Sequence, residues 1–291
     1  MILVNRPLSP TLFIATLLCL IFAHSSFAID KARIETRVEE VHNELGIEGE
    51  GVIVAILDRG IDWKSNDFRN EDGTTRIKYI LDFTHDRTNG IVYTEEQINE
   101  ALTNNTELGQ PGQGHRDAVG HGTTTTGIAA GNGRNSTNRK YRGMAPKASL
   151  IIVKITSDGA GAHNDQPAEA SFFDFNFMIK GMDFVVEKAA ELGMPAVMLP
   201  NIGSNGGPTD GTSFVTRKID SLVGAAIPGI AFINGPGDEG GGANRAQATI
   251  DPGQTVSLEV EKAQAGGIVV DLWYPTIGVG VTTSGSLTKY R

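Results

Sequence analysis

An α/β fold, with a mainly parallel sheet flanked by helices, is predicted by three observations. Four apolar runs, "GVIVAILD" (51–58), "SLIIVKI" (149–155), "PAVMLPNI" (195–202) and "GIAFIN" (229–234), are continuous rather than alternating, the pattern of strands covered on both faces. Stretches with helical periodicity lie between them, and strands alternating with helices build a layered parallel sheet. At 291 residues, with 40% hydrophobic and 20% charged positions, the chain is long and apolar enough to fill such a core.

Taken in order, residues 1–28 read as a secretory leader: Arg6, the apolar run "TLFIATLLCLIFA", then small residues at Ser26 and Ala28. The run is too short for a comfortable membrane span, so a protein soluble after cleavage, extracellular or periplasmic and without membrane association, is expected. Cys19, the one cysteine, lies in this leader, which leaves the mature chain without disulfides or thiol chemistry. Next, "DKARIETRVEEVHNELG" sets Ile34, Val38, Val41 and Leu45 at helical spacing ahead of Gly46, and an amphipathic opening helix is predicted. The first buried strand follows and ends at Asp58. "GTTTTGIAAG" (122–131), rich in small residues, predicts a tightly packed helix with His121 at its first turn. After the strand at 149–155, residues 168–193 carry Phe172, Phe175, Ile179, Met182, Val186 and Ala189 on one helical stripe. Residues 212–226 read as a further helix.

From about 243 the texture changes. "ATIDPGQTVSLEVEK" and "GGIVVDLWYP" alternate apolar and polar positions between turns, the pattern of antiparallel strands. The expected organisation is therefore a leader (1–28), an incomplete α/β domain (29–242) and the start of an inserted β-sandwich-like module (243–291). The net charge of −9, or −10 once Arg6 is removed, disfavours a phosphate backbone as partner, and no nucleic acid is expected. Oligomeric state is left open.

In a parallel sheet the reacting groups collect beyond the carboxyl ends of the strands. Asp58 occupies such a place, where it either caps the "RGID" turn or takes part in chemistry; a lone histidine such as His121 is more often a surface or core residue than a catalyst. Together, "AILDRGID" and "GHGTTTTGIAAG" resemble the aspartate and histidine motifs of the subtilisin-like serine peptidases, the subtilases, in order and separation. "YRGMAPKASLIIVKI" and "PNIGSNGGPTDGTS" resemble further family segments, so that the resemblance covers most of residues 30–250.

The resemblance implies peptide-bond hydrolysis on a peptide or protein substrate, with His121 as general base, oriented by Asp58. It places Asp238, in "FINGPGDEGGG", at the oxyanion position, and Asn201, Ile202, Gly203, Gly235, Pro236 and Gly237 along the substrate cleft. It also suggests a structural calcium at Asp67 with the "GNGRNSTNRKYRG" loop, while the chemistry itself requires no cofactor. The departures are specific. Arg59 replaces a small residue and could compete for Asp58; the hydroxyls of Thr124, Thr125 and Thr126 need partners if buried. An ionised Asp238 cannot donate a hydrogen bond to an oxyanion, although a protonated one can. Ser213, in "DGTSFVTR", reads as a helix cap in preference to a nucleophile. The serine motif is expected beyond residue 291, and the competing expectation is an inactive subtilase-fold protein that binds peptides or regulates a partner.

Overall fold

The computed structural model describes residues 28–159, 174–203, 207–208, 210–237, 248–249 and 251–257. The leader (1–27) lies outside the described residues. So does most of the module expected from 243; its described stretches, 248–249 and 251–257, carry no strand.

Each continuous apolar run forms a strand: β1 (Ile53–Asp58), β4 (Ser149–Lys154), β5 (Ala196–Pro200) and β6 (Ile230–Phe232). Two more strands, β2 (Ile77–Asp82) and β3 (Ile91–Thr94), complete a six-stranded sheet in the order β3-β2-β4-β1-β5-β6. Every pairing is parallel except β2 with β3. β1 is interior, and its residues on both faces are buried, save half-buried Val54. Ile53, Ala55 and Leu57 face Phe177, Met178 and Met182, whereas Ile56 faces the opposite way with Ile80, Ile152, Phe68 and Ile98.

The helices are α1 (Ala28–Glu35), α2 (Glu95–Asn104), α3 (His121–Ala130), α4 (Phe175–Leu192) and α5 (Phe214–Leu222). α4 forms as predicted but with its buried face rotated. Phe177, Met178, Gly181, Met182, Val185 and Ala189 turn inward, while Phe175 is exposed and Ile179 and Val186 are only half-buried. Gly181 sets this face: a Cβ there would lie 2.8 Å from Val153 Cγ1, so the helix rests closely on β4 at that point. Phe172 lies outside the described residues.

The opening helix departs further from expectation. α1 stops at Glu35, Arg37 takes a left-handed conformation (φ 61°), and the chain resumes as a helical turn (Val38–Glu40) running into a π-helical turn (Val41–Leu45). The apolar stripe faces water, with Ile34 and Leu45 each 66% exposed. Polar groups anchor the segment instead. Arg33 is buried, bonds the carbonyls of Arg142 and Lys140 and pairs with Glu39 at 2.7 Å; His42 is buried with its Nε2 2.9 Å from the Met144 carbonyl.

The register places three buried charges in one row. Asp58 of β1 and Asp82 of β2 both stand opposite Lys154 of β4, the strand between them.

Candidate active site

Asp58 is the last residue of β1, and its side chain is fully buried. His121 is the first residue of α3, and its ring is 47% exposed. His121 Nδ1 lies 2.6 Å from Asp58 Oδ1, which also accepts the backbone N–H of Arg59 at 2.6 Å. Burial raises the Asp58 carboxyl above the ordinary carboxylate range against the pull of His121, Arg59 and Thr125. With Nδ1–H donated to the carboxylate, the neutral ring presents Nε2 as a proton acceptor.

Two glycines make the meeting of helix and strand end possible. Gly120, at φ 81°, turns the chain into α3, and a Cβ on Gly122 would fall 2.1 Å from the Gly60 carbonyl oxygen. Asp117, not singled out from the sequence, caps this helix start from outside. Its Oδ1 accepts the Gly120 N–H at 3.0 Å, and its Oδ2 accepts the N–H and hydroxyl of Thr123, each at 2.8 Å. The Thr123 oxygen accepts the Asp62 N–H at 2.8 Å, joining helix to turn. The legible signal was a carboxylate shortly before a predicted helix, in "DAVGHGT".

The threonine run finds its partners within α3. Thr124, Thr125 and Thr126 donate to the carbonyls of Gly120, His121 and Gly122, and buried Thr126 does so at 2.7 Å. The helix accommodates these hydroxyls by back-bonding to the preceding turn. Arg59 does not displace His121 from Asp58: its guanidinium donates to the Gly159 carbonyl. Burial lowers the Arg59 pKa, while Asp117, Asp58 and Asp158 oppose that shift.

A cleft of about 460 Å³ opens at His121, lined also by Arg59, Val119, Thr124, Ile128 and Asn201, among others. Asn201 Nδ2 donates to Thr125 Oγ1 at 2.8 Å, tying the segment that leaves β5 to α3. Of the other expected cleft residues, Ile202 packs partly against the core, Gly203 is exposed, and Gly235, Pro236 and Gly237 form an exposed stretch beyond β6. Asp238 lies outside the described residues. Ser213 is the N-cap of α5: its Oγ accepts the Thr216 N–H at 3.0 Å.

Asp67 is engaged within the protein. Its Oδ1 accepts the Asn135 N–H at 2.9 Å, and its carbonyl accepts from both Asn132 and the Arg76 guanidinium. Arg76, buried, also donates to the carbonyls of Ala130 (2.5 Å) and Ala148 (2.9 Å), so a guanidinium already holds these oxygens. Burial lowers Arg76 to about 10, opposed by Asp67. Among the described residues no group of three or more His, Cys, Asp or Glu side chains is placed to hold a metal, and no helix is long and apolar enough to cross a membrane.

Residues 49–173 match the model of the subtilase family, peptidase S8. The resemblance read from the sequence therefore holds over this stretch. The chain is 25% identical over 202 residues to the major intracellular serine protease of Bacillus subtilis (strain 168), covering 69% of this chain and 47% of that protein. It resembles the solved structure of the Clostridium perfringens CspB protease with a TM-score of 0.55 and 28% identity, over 68% of this chain and 38% of that one. The chain thus spans about half the length of the curated relative.

Proposed function

We propose, from the subtilase match of residues 49–173, that this chain is the N-terminal part of a subtilisin-type serine endopeptidase, with Asp58 and His121 as two members of its triad. The observation carrying this reading is the 2.6 Å contact between a buried carboxylate at the end of an interior strand and a half-exposed imidazole lining a cleft. In this role Nε2 of His121 takes the proton of a serine hydroxyl as that oxygen attacks the peptide carbonyl. The ring later returns the proton to the leaving amine, and Asp58 stabilises the imidazolium between the two transfers. The serine is proposed to come from sequence beyond Arg291, and Asp238 to lie beside the developing oxyanion. The leader supports export of the product.

Peptide hydrolysis by the full gene product tests the reading. Activity abolished by H121A and reduced on the order of 10⁴-fold by D58N is the expected result, and activity indifferent to both would overturn it. Arg59, a bulky cation lining the cleft, favours a second reading in which the protein binds peptides without cutting them. Peptide affinity without turnover in that assay would select it.

A further inference from the structure

A second imidazole–carboxylate pair lies beneath the first. His115, its side chain fully buried, places Nδ1 2.6 Å from Oδ2 of Asp82 at the end of β2. Its other nitrogen, Nε2, accepts the backbone N–H of Ile61 at 3.2 Å. A ring nitrogen that accepts an amide proton carries none of its own, so the His115 proton resides on Nδ1 and is given to Asp82. Burial works to raise the Asp82 carboxyl, and His115 and Lys154 overcome it, holding it at about 2.

The segment around His115 is held from several directions. The His115 carbonyl accepts from Trp63 Nε1 at 3.3 Å, and the next carbonyl, that of Arg116, accepts from buried Lys154 Nζ at 2.7 Å. Against this shelf rests the turn that follows Asp58. A Cβ on Gly60 (φ 107°) would lie 2.7 Å from the Arg116 carbonyl oxygen and 3.2 Å from both His115 Cε1 and Lys154 Cδ. The Gly60 carbonyl of the same turn meets Gly122 of α3. The turn is thus gripped between the helix that carries His121 and a shelf fixed by Asp82, His115 and Lys154.

We infer that His115 is a positioning residue: locked in its Nδ1–H form by Asp82, it holds the Ile61 amide and thereby fixes the turn that aims Asp58 at His121. This deepens the proposed active site without requiring that peptides be cut, because every readout below concerns the pair itself.

Nitrogen-15 NMR of the 291-residue chain tests it. In the unaltered protein His115 should be the Nδ1–H tautomer, and a protonated Nε2 would overturn the inference. In H115L the Ile61 amide should exchange with solvent about tenfold faster, the loss of one hydrogen bond, and the proton shared by His121 and Asp58 should broaden or disappear. H115Q, whose side-chain oxygen can again accept the Ile61 N–H, should restore both signals. A folded H115L chain that keeps Ile61 protection and the His121 resonance would reduce His115 to core filling and refute the assignment. Where H115L fails to fold, the tautomer measurement and H115Q still decide. Failure of the peptidase reading would appear as absent turnover with these signals intact.

Discussion

The carbonyl oxygen of Gly60 and the α-carbon of Gly122 are in such close approach that a methyl group on the latter would lie 2.1 Å from the former. Helix α3 and the turn after β1 therefore meet backbone to backbone, and this closeness brings His121 over Asp58. Neither Gly60, pressed against the Arg116 carbonyl, nor α3, tied by Thr123 to Asp62, is free to retreat.

G122A should accordingly push α3 away from the turn. The expected outcome is a loss of about 1–3 kcal/mol in chemical denaturation, the usual cost of overpacking, together with loss of the proton resonance shared by His121 and Asp58. A variant as stable as the parent would mean that the helix start can shift.

D58N separates stability from chemistry. The folded-state pKa of Asp58 is raised, so its contribution to stability is present below the ordinary carboxylate range and is lost as pH rises through the raised value. At neutral pH the ionised, buried carboxylate is therefore a cost, and asparagine removes it while keeping the shape. The melting temperature of D58N at pH 7 should exceed that of the parent, even as the peptide hydrolysis proposed above collapses.

Asp82 behaves in the opposite sense. Its folded value lies below the ordinary one, so it stabilises the fold above about pH 4, and that contribution is lost as pH falls from about 4 through about 2. The difference corresponds to on the order of 2 kcal/mol. Urea denaturation of D82N should show a deficit of that order at pH 7 that closes by pH 2; a deficit constant with pH would assign the effect to packing.

Arg76 satisfies the carbonyls of Asp67, Ala130 and Ala148 with one guanidinium. R76M should leave the carbonyls of Ala130 and Ala148 without this donor, while Asp67 keeps the Asn132 N–H, and should cost about 3 kcal/mol or more. Adding EDTA or calcium to the parent should not move its melting temperature. A calcium-dependent shift of several degrees would instead support the metal reading of Asp67.

T126V tests the back-bonded threonines. The Thr126 hydroxyl is buried and donates within its own helix turn, to Gly122. Valine fills nearly the same volume without straining the helix, so stability should change by less than about 1 kcal/mol. A larger loss would show that the hydroxyl organises the turn that bears His121.

The legibility of this protein in its sequence follows burial. Strands covered on both faces announce themselves as unbroken apolar runs, which is why β1, β4, β5 and β6 were readable. β2 and β3 were not. Lys78 interrupts β2 and pairs with Glu95, and the edge strand β3 is only partly buried, so neither shows an unbroken apolar run. Helix α2 does carry a local signal, the capping box of Thr94 and Gln97. The opening segment misled because periodicity tells which residues share a face but not where that face points. Here Arg33 and His42 reach carbonyl groups that Ile34 and Leu45 could not satisfy. Of the site, Asp58 and His121 were visible as motif residues. His115 and Asp82 were silent, since their pairing depends on a contact between a strand end and a loop far apart in sequence.

The alignment of Asp58, Lys154 and Asp82 across three neighbouring strands has a bearing on how the sheet is assembled. Side chains alternate between faces, so sliding β4 by one residue would swing the ammonium group into the layer of Phe177, Met178 and Met182 and strand both carboxylates opposite hydrocarbon. A mis-threaded sheet is thus penalised at the strand end that carries Asp58, and the same carboxylate that meets His121 also proofreads the register of the strands.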